Sequence, residues 1–260
     1  MPEHRTSAVI LNSREYGEID RIVTFYTRDF GKVFGIAKGA RKSQKRFGAA
    51  LDFLSHVDLS FFAKETLTLV RINYCQLQNP FPSLHEDIRR MAYGSYFAEL
   101  VMEMTADGIP NQGLFQMLVR FFHILDTCPP KEDYLHIFEI RLLDALGYRP
   151  SLDRCTHCKV EIKQDDRLRF SVSRGGVICG HCGIHHENLY PVSPGTLKLL
   201  QQSYSLSLNK IQRLVFSSRA LEESRKILPR FIQYYTEKEL NALRFIEKVE
   251  NDCCSREFPV

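Results

Sequence analysis

The sequence predicts an α+β chain in which a small five-stranded barrel comes first and a helical region with an inserted four-cysteine module follows. Three observations carry this. The first 75 or so residues run as successive β-branched and aromatic segments separated by turn signals. From about Ser83 the apolar spacing becomes helical. Residues 151–190 then hold four of the eight cysteines as two C-x-x-C pairs.

Taken in order, Thr6–Asn12 and Asp20–Thr27 read as strands joined by the turn Arg14-Glu15-Tyr16-Gly17-Glu18. Lys32–Ala37 follows the turn Asp29-Phe30-Gly31. Val57–Phe61 alternates, with Val57, Leu59 and Phe61 on one face, and Thr66–Tyr74 is a fifth strand. Between the third and fourth, Gln44–Leu54 has the composition of a short helix. Five strands with a helix after the third is the layout of an OB-type barrel, and a generic small β-barrel shares the pattern.

Asn79-Pro80-Phe81-Pro82 breaks the strand pattern. Ser83 with Glu86 is a capping-box signal for a helix through Met104. Helices are expected at Gln112–Leu125 and Glu132–Leu146, and from Ser193-Pro194 through Tyr204. Helical spacing resumes from Ser218 to Val249, with Pro229 expected to break or kink it. The expected domains are a barrel over residues 1–80 and a helical domain over 81–250 containing the module 151–190. A flexible tail is expected at 251–260.

The chain has 260 residues and a formal net charge of +4, from 35 basic and 31 acidic side chains. Residues 1–80 hold 12 basic and 8 acidic residues, and the remainder holds 23 of each, so the whole excess belongs to the barrel. No stretch approaches the 18 or so apolar residues of a membrane span, and Met1–Val9 has no apolar signal core. With cysteines too sparse for a disulfide framework, a reducing, cytoplasmic location is expected.

Cys155-Thr156-His157-Cys158 and Cys179-Gly180-His181-Cys182, with 20 residues between them, match four-cysteine zinc spacing. Each knuckle sets two thiolates on one side of a tight turn, and two knuckles complete a tetrahedron. Cys155, Cys158, Cys179 and Cys182 are therefore the candidate ligands of one zinc ion. Four thiolates leave no open position, which makes the expected role structural. His185-His186-Glu187 resembles a deaminase H-x-E fragment, but the cysteines precede it and no proline stands before either pair. Cys75 and Cys128 read as packed thiols, and Cys253 and Cys254 lie in a polar tail.

Between Arg28 and Arg46 stand seven basic residues and one acid, and Lys38–Arg46 has five cations and no anion. A solvated face would look similar. The run, however, follows the third strand of an OB-type barrel, beside the surface such folds use for oligonucleotides. The candidate DNA contacts are Arg14, Arg21, Arg28, Lys32, Lys38, Arg41, Lys42, Lys45 and Arg46, with Tyr26, Phe30, Phe34 and Phe47 as stacking candidates. A weaker basic patch (Arg149, Arg154, Lys159, Lys163, Arg167, Arg169, Arg174) surrounds the cysteines, diluted by Asp153, Glu161, Asp165 and Asp166. There is no phosphate-cradling G-x-x-x-x-G-K-[ST] loop, G-x-S-x-G elbow or H-E-x-x-H. Glu15, Glu18 and Asp20 read as surface charges paired with Arg14 and Arg21 rather than a nuclease cluster.

Several motifs follow one another along most of the chain: Tyr16-Gly17-Glu18-Ile19-Asp20-Arg21, Thr27-Arg28-Asp29-Phe30-Gly31-Lys32 and Lys38-Gly39-Ala40-Arg41 continuing to Arg46-Phe47. In the second half they are Phe138–Leu143, Leu146–Pro150, Leu152-Asp153-Arg154-Cys155-x-x-Cys158, Phe170-Ser171 and Gly175–Cys179. Together and in this order they resemble the bacterial RecO family of recombination mediators. The resemblance implies an OB-fold, a helical domain and a zinc module. It implies binding of single- and double-stranded DNA, strand annealing, and loading of RecA onto strands coated by single-stranded DNA-binding protein. RecR and the C-terminal tail of single-stranded DNA-binding protein are the implied partners, and no bond cleavage is implied. An RNA-binding or translation-associated OB/zinc protein is the alternative.

Overall fold

The computed structural model describes residues 2–43, 46–63, 69–162, 167–185 and 188–256, with side chains omitted at 184, 185 and 252–256. These form two compact units: Met1–Pro130 with Leu240–Val260, and Lys131–Glu239.

The first unit opens with five strands, β1 (Glu3–Tyr16), β2 (Asp20–Thr27), β3 (Gly31–Ala37), β4 (His56–Phe62) and β5 (Val70–Asn79). They close a barrel in the order β1-β2-β3-β5-β4, with β4 returning to β1. The β3–β5 contact is the parallel one, as an OB-fold requires. A register shift between Ile10 and Asn12 lets the long β1 bend and serve both neighbours. Alternate residues fill the interior: Ala8 and Ile10, Val23 and Phe25, Val57, Leu59 and Phe61, with Val33 and Ile72.

Residues 46–54 are a chain of turns, not the short helix expected from composition. The N–H groups of Ala50, Asp52 and Ser55 each reach the carbonyl three residues back. Gly48 and Leu54 have positive φ, which ends any helical run. The segment still buries Phe47, Ala50 and Leu51 in the barrel core. The fifth strand is described as Val70–Asn79 against the predicted Thr66–Tyr74, and residues 66–68 of that prediction lie outside the described set.

The expected helix from Ser83 to Met104 is two: α1 (Pro82–Glu86) and α2 (Ile88–Met104), parted by extended backbone at Asp87. Asp87 is the true cap of α2, accepting from the Arg90 N–H at 2.9 Å. Ser83 caps nothing, and its N–H goes to Asp126. After α3 (Gln112–Thr127) the chain leaves this unit and returns as α7 (Asn241–Arg256), packed on α2. The Glu99 carboxylate accepts from the N–H groups of Asn241 and Ala242 at 3.0 and 2.7 Å, an anion at the first turn of α7. α7 takes in residues 251–256 of the expected flexible tail, seven residues past the predicted helix end at Val249, and 257–260 lie outside the described set.

The second unit holds α4 (Glu132–Ala145), a small sheet of β6 (Arg169–Ser171), β7 (Gly176–Ile178) and β8 (Leu189–Pro191) in the order β7-β6-β8, then α5 (Pro194–Ser205) and α6 (Ser218–Thr236). Ser193 caps α5 as predicted, with Pro194 in the first turn. Pro229 does not break α6. The interruption comes at Glu237, whose left-handed φ of 54° ends the helix before α7 begins. No described helix is long and apolar enough to cross a membrane.

Candidate nucleic-acid interface and metal centre

At one end of the barrel the loop after β3 folds back over the β1–β2 turn. The Arg41 N–H reaches the Ile19 carbonyl at 3.1 Å, and the Gly39 N–H reaches the Asp20 carboxylate at 2.8 Å. Gly39 has φ +66°, a conformation that an L side chain would strain. The fold-back brings Lys38, Arg41, Lys42 and Arg46 to the end of the barrel where β1 and β2 meet, with Arg21 opposite Glu15 and Arg14, opposite Ile22, on the other face of the sheet. Lys45 lies outside the described residues.

These cations are held, not buried. Arg41 is half exposed while touching Glu15 at 3.5 Å and the Glu18 carbonyl at 3.2 Å. Lys38 stands 4.0 Å from Asp20, and Arg21 stands 3.6 Å from Asp52. So Glu15 and Asp20 pair with Arg41 and Lys38, not with Arg14 and Arg21 as the sequence suggested. Arg46 donates to the Lys38 carbonyl at 2.6 Å and lies 4.8 Å over the Phe47 ring. An open groove of about 390 Å³ runs between the 46–50 turn and β5, with Arg46 on one wall and the exposed ring of Tyr74 on the other.

Two predicted contacts lie elsewhere. Arg28 sits at the far end of β3 and chelates Asp29 at 3.1–3.3 Å. Lys32 leaves the candidate set: it is 8% exposed, and its ammonium donates to the Met102 and Thr105 carbonyls at 2.6 and 2.7 Å and faces Asp107 at 3.1 Å. Of the stacking candidates, Tyr26 and Phe47 are core, and Phe30 packs edge-on against Phe61. Besides Tyr74, an exposed aromatic of the rim is Tyr16, 54% accessible in the β1–β2 turn. Its signal was the turn itself, since a tyrosine at a Gly-containing turn has no core to enter.

In the second unit, the chain reversals at both knuckles aim four sulfurs at one point. Sγ atoms of Cys155, Cys158, Cys179 and Cys182 all lie within 4.8 Å of one another. The Cys158–Cys179 separation is 3.8 Å, and a tetrahedron with Zn–S of about 2.3 Å has an edge of about 3.8 Å. The first knuckle closes through the Lys159 N–H on the Cys155 carbonyl, with Lys159 at φ +62°. The second closes through the Gly183 N–H on the Cys179 carbonyl, both at 2.9 Å. Burial raises the Cys155 thiol, but the N–H groups of Cys179, Cys158 and His157 outweigh it and bring it down to about 6. Burial beside the other thiols pushes Cys182 up to about 12. A divalent cation is what would let all four ionise together. Among the described residues no histidine or carboxylate joins the cluster; the His185 side chain, His186 and Glu187 lie outside that set.

Comparison with known proteins agrees with this architecture. Residues 1–81 match the family model for the recombination protein O N terminal domain, and residues 85–244 match that for the C terminal domain. The chain is 34% identical to the DNA repair protein RecO of Syntrophus aciditrophicus, over 95% of this chain and 96% of that one. It is 32% identical to RecO of Geobacter metallireducens over 97% and 100%, and 35% identical to RecO of Desulfatibacillum aliphaticivorans over 95% and 97%. With an OB barrel, a helical region and a four-cysteine cluster in the order the family models span, this chain belongs to the RecO family of DNA repair proteins.

Proposed function

We propose that this chain is a non-enzymatic recombination mediator. It binds single- and double-stranded DNA through the barrel, anneals complementary strands, and helps load RecA onto strands coated by single-stranded DNA-binding protein. RecR and the C-terminal tail of single-stranded DNA-binding protein are its partners, and it works in the cytoplasm at the nucleoid. The observation that carries this reading is the cationic rim of Arg14, Arg21, Lys38, Arg41, Lys42 and Arg46 around one end of an OB barrel. Neutralising phosphates on two strands removes much of the repulsion that slows their pairing, and leaves base edges accessible. Annealing by this route consumes no nucleotide.

Zinc is the metal the four thiolates suit, one per chain, since an all-sulfur tetrahedral set selects it over harder cations. When bound it would cross-link the two knuckles and hold the β6–β8 module together. The deciding assay is annealing of complementary strands coated by single-stranded DNA-binding protein, with and without RecR and without ATP. Annealing that falls steeply with salt is expected. Absence of annealing, or far tighter binding of RNA than DNA, would transfer the chain to the RNA-binding reading.

A further inference from the structure

The unit Lys131–Glu239 carries an aromatic surface that the mediator reading leaves unused. Five tyrosines are exposed among the described residues, and three of them, Tyr148, Tyr234 and Tyr235, lie together. The Tyr148 and Tyr235 ring centres are 4.4 Å apart with 35° between planes, while Tyr234 meets Tyr235 edge-on at 5.5 Å. Beneath them Phe231, fully buried, props Tyr235 edge-on at 5.2 Å. These rings are thus held in fixed mutual positions at 39–53% exposure. A platform already rigid before binding loses little further entropy when something stacks on it.

Cations flank the platform. Arg149, one peptide bond from Tyr148, lies 3.7 Å over the Tyr204 ring and keeps half its side chain exposed despite Asp144 at 3.6 Å. It borders an open groove of about 760 Å³ whose wall also carries Lys198, Gln201 and Tyr204, with Asp153 as its acid. On α6, Arg230 lies 5.2 Å over Tyr190, one helical turn before Tyr234. Cations thus adjoin the cluster at two places, Arg149 next in sequence to Tyr148 and Arg230 one helical turn from Tyr234.

We infer that this surface is a second nucleic-acid site, on which unpaired bases of single-stranded DNA stack on Tyr148, Tyr234 and Tyr235 while Arg149, Lys198 and Arg230 receive the phosphates. The inference rests on the DNA-binding reading and extends it to the helical unit. Rings with adjoining cations match the bases and phosphates of a strand. Duplex DNA hides its base faces in the stack and cannot use the rings. The exposed hydroxyls and the polar groove wall of Gln201, Gln202 and Ser205 suit a wet, sequence-tolerant surface.

Titrate the full chain with oligo(dT) and with a duplex of equal length, comparing wild type, Tyr148→Ala/Tyr234→Ala and Tyr148→Phe/Tyr234→Phe. In parallel, photo-crosslink the wild type to oligo(dT) carrying 5-iododeoxyuridine and map the adducts. The alanine pair is expected to lose about thirtyfold or more in affinity for oligo(dT). It should keep its duplex affinity, the phenylalanine pair should bind normally, and adducts should fall on this tyrosine cluster. Unchanged oligo(dT) affinity in the alanine pair, equal loss on both substrates, or adducts confined to residues 1–80 would overturn the inference while leaving the mediator reading standing. Loss of an acidic peptide's binding with DNA affinity intact would reassign the surface to a protein partner. A wild type that binds neither DNA would sink both readings. Should the alanine pair fail to fold, the adduct map alone decides.

Discussion

The Lys32 ammonium, on a strand of the barrel, donates at 2.6 Å to the carbonyl of Met102 in the last turn of α2. It also takes the Thr105 carbonyl and the Asp107 carboxylate, and Gly108 N–H returns a bond to the Lys32 carbonyl. The neighbouring Gly31 allows this approach: at φ +64°, an added Cβ would meet the Ile109 carbonyl oxygen at 2.1 Å. A lysine inside a basic motif thus fastens the barrel to a helix of its own unit.

Replacing Lys32 by Met keeps the volume but strands two carbonyl acceptors away from water. The expected cost is about 2–4 kcal/mol of stability, read from the urea midpoint. DNA affinity of the folded fraction should be unchanged. A variant of normal stability with weakened DNA binding would restore Lys32 to the interface.

Charge reversal at the rim should behave oppositely. Arg41→Glu, Lys42→Glu and Arg46→Glu together should weaken binding to all sequences about equally. For single strands the log–log salt slope should fall by about 2, since each lost phosphate contact is worth about 0.7. Loss restricted to particular sequences would indicate base contacts instead. Stability should change little, because the first two side chains are exposed.

Where periodicity and burial coincide, the sequence was a sufficient guide. The alternation Val57, Leu59, Phe61 located β4, and the spacing of the cysteines located the sulfur cluster, because each pattern has one geometric solution. What escaped notice depends on long-range partners. The exposure of Lys32 cannot be read from its neighbours, since its ligands lie about 70 residues away. Ser83-x-x-Glu86 has the form of a capping box, yet Ser83 lies inside α1 and Asp87, extended at φ −114° and ψ 122°, caps α2. Segment 46–54 has helical composition, but seating Phe47, Ala50 and Leu51 in the barrel mouth demands turns. The return of α7 to the first unit is a topological fact that no local signal encodes.

A buried charge network should give the protein an alkaline limit. His136, 2% exposed, lies between Glu139 at 2.8 Å and Glu132 at 3.4 Å, and Glu132 is clamped by Arg225 at 2.6 and 2.8 Å. Burial lowers the His136 imidazole, but the Glu139 and Glu132 carboxylates outweigh it and lift it to about 9 from 6.5. Burial likewise raises Glu132, yet His136 and Arg225 bring it down to about 2 from 4.5. The histidine's contribution is complete below pH 6.5 and is lost as pH rises through 9. The Glu132 contribution is complete above pH 4.5 and is lost as pH falls through 2. The unfolding free energy from urea titrations should therefore fall between pH 6.5 and 9.5 by an amount on the order of 2–3 kcal/mol, and His136→Gln should flatten that limb. An alkaline limb of equal depth in the variant would place the titrating group elsewhere.

The cysteine cluster should matter to stability more than to DNA contact. Purified protein is expected to carry one zinc per chain. Cys155→Ser replaces a fully buried ligand, so it should lower zinc content and amide-exchange protection across β6–β8. The barrel has its own core and belongs to the other compact unit, so its exchange protection and its share of DNA affinity should survive the same substitution. Chelation should reproduce the mutant's exchange pattern in wild type, and added zinc should reverse it in wild type alone. A chain that purifies without metal, or one whose module keeps full protection after chelation, would show that packing of Ile178 and Leu189 around the thiols suffices without the ion.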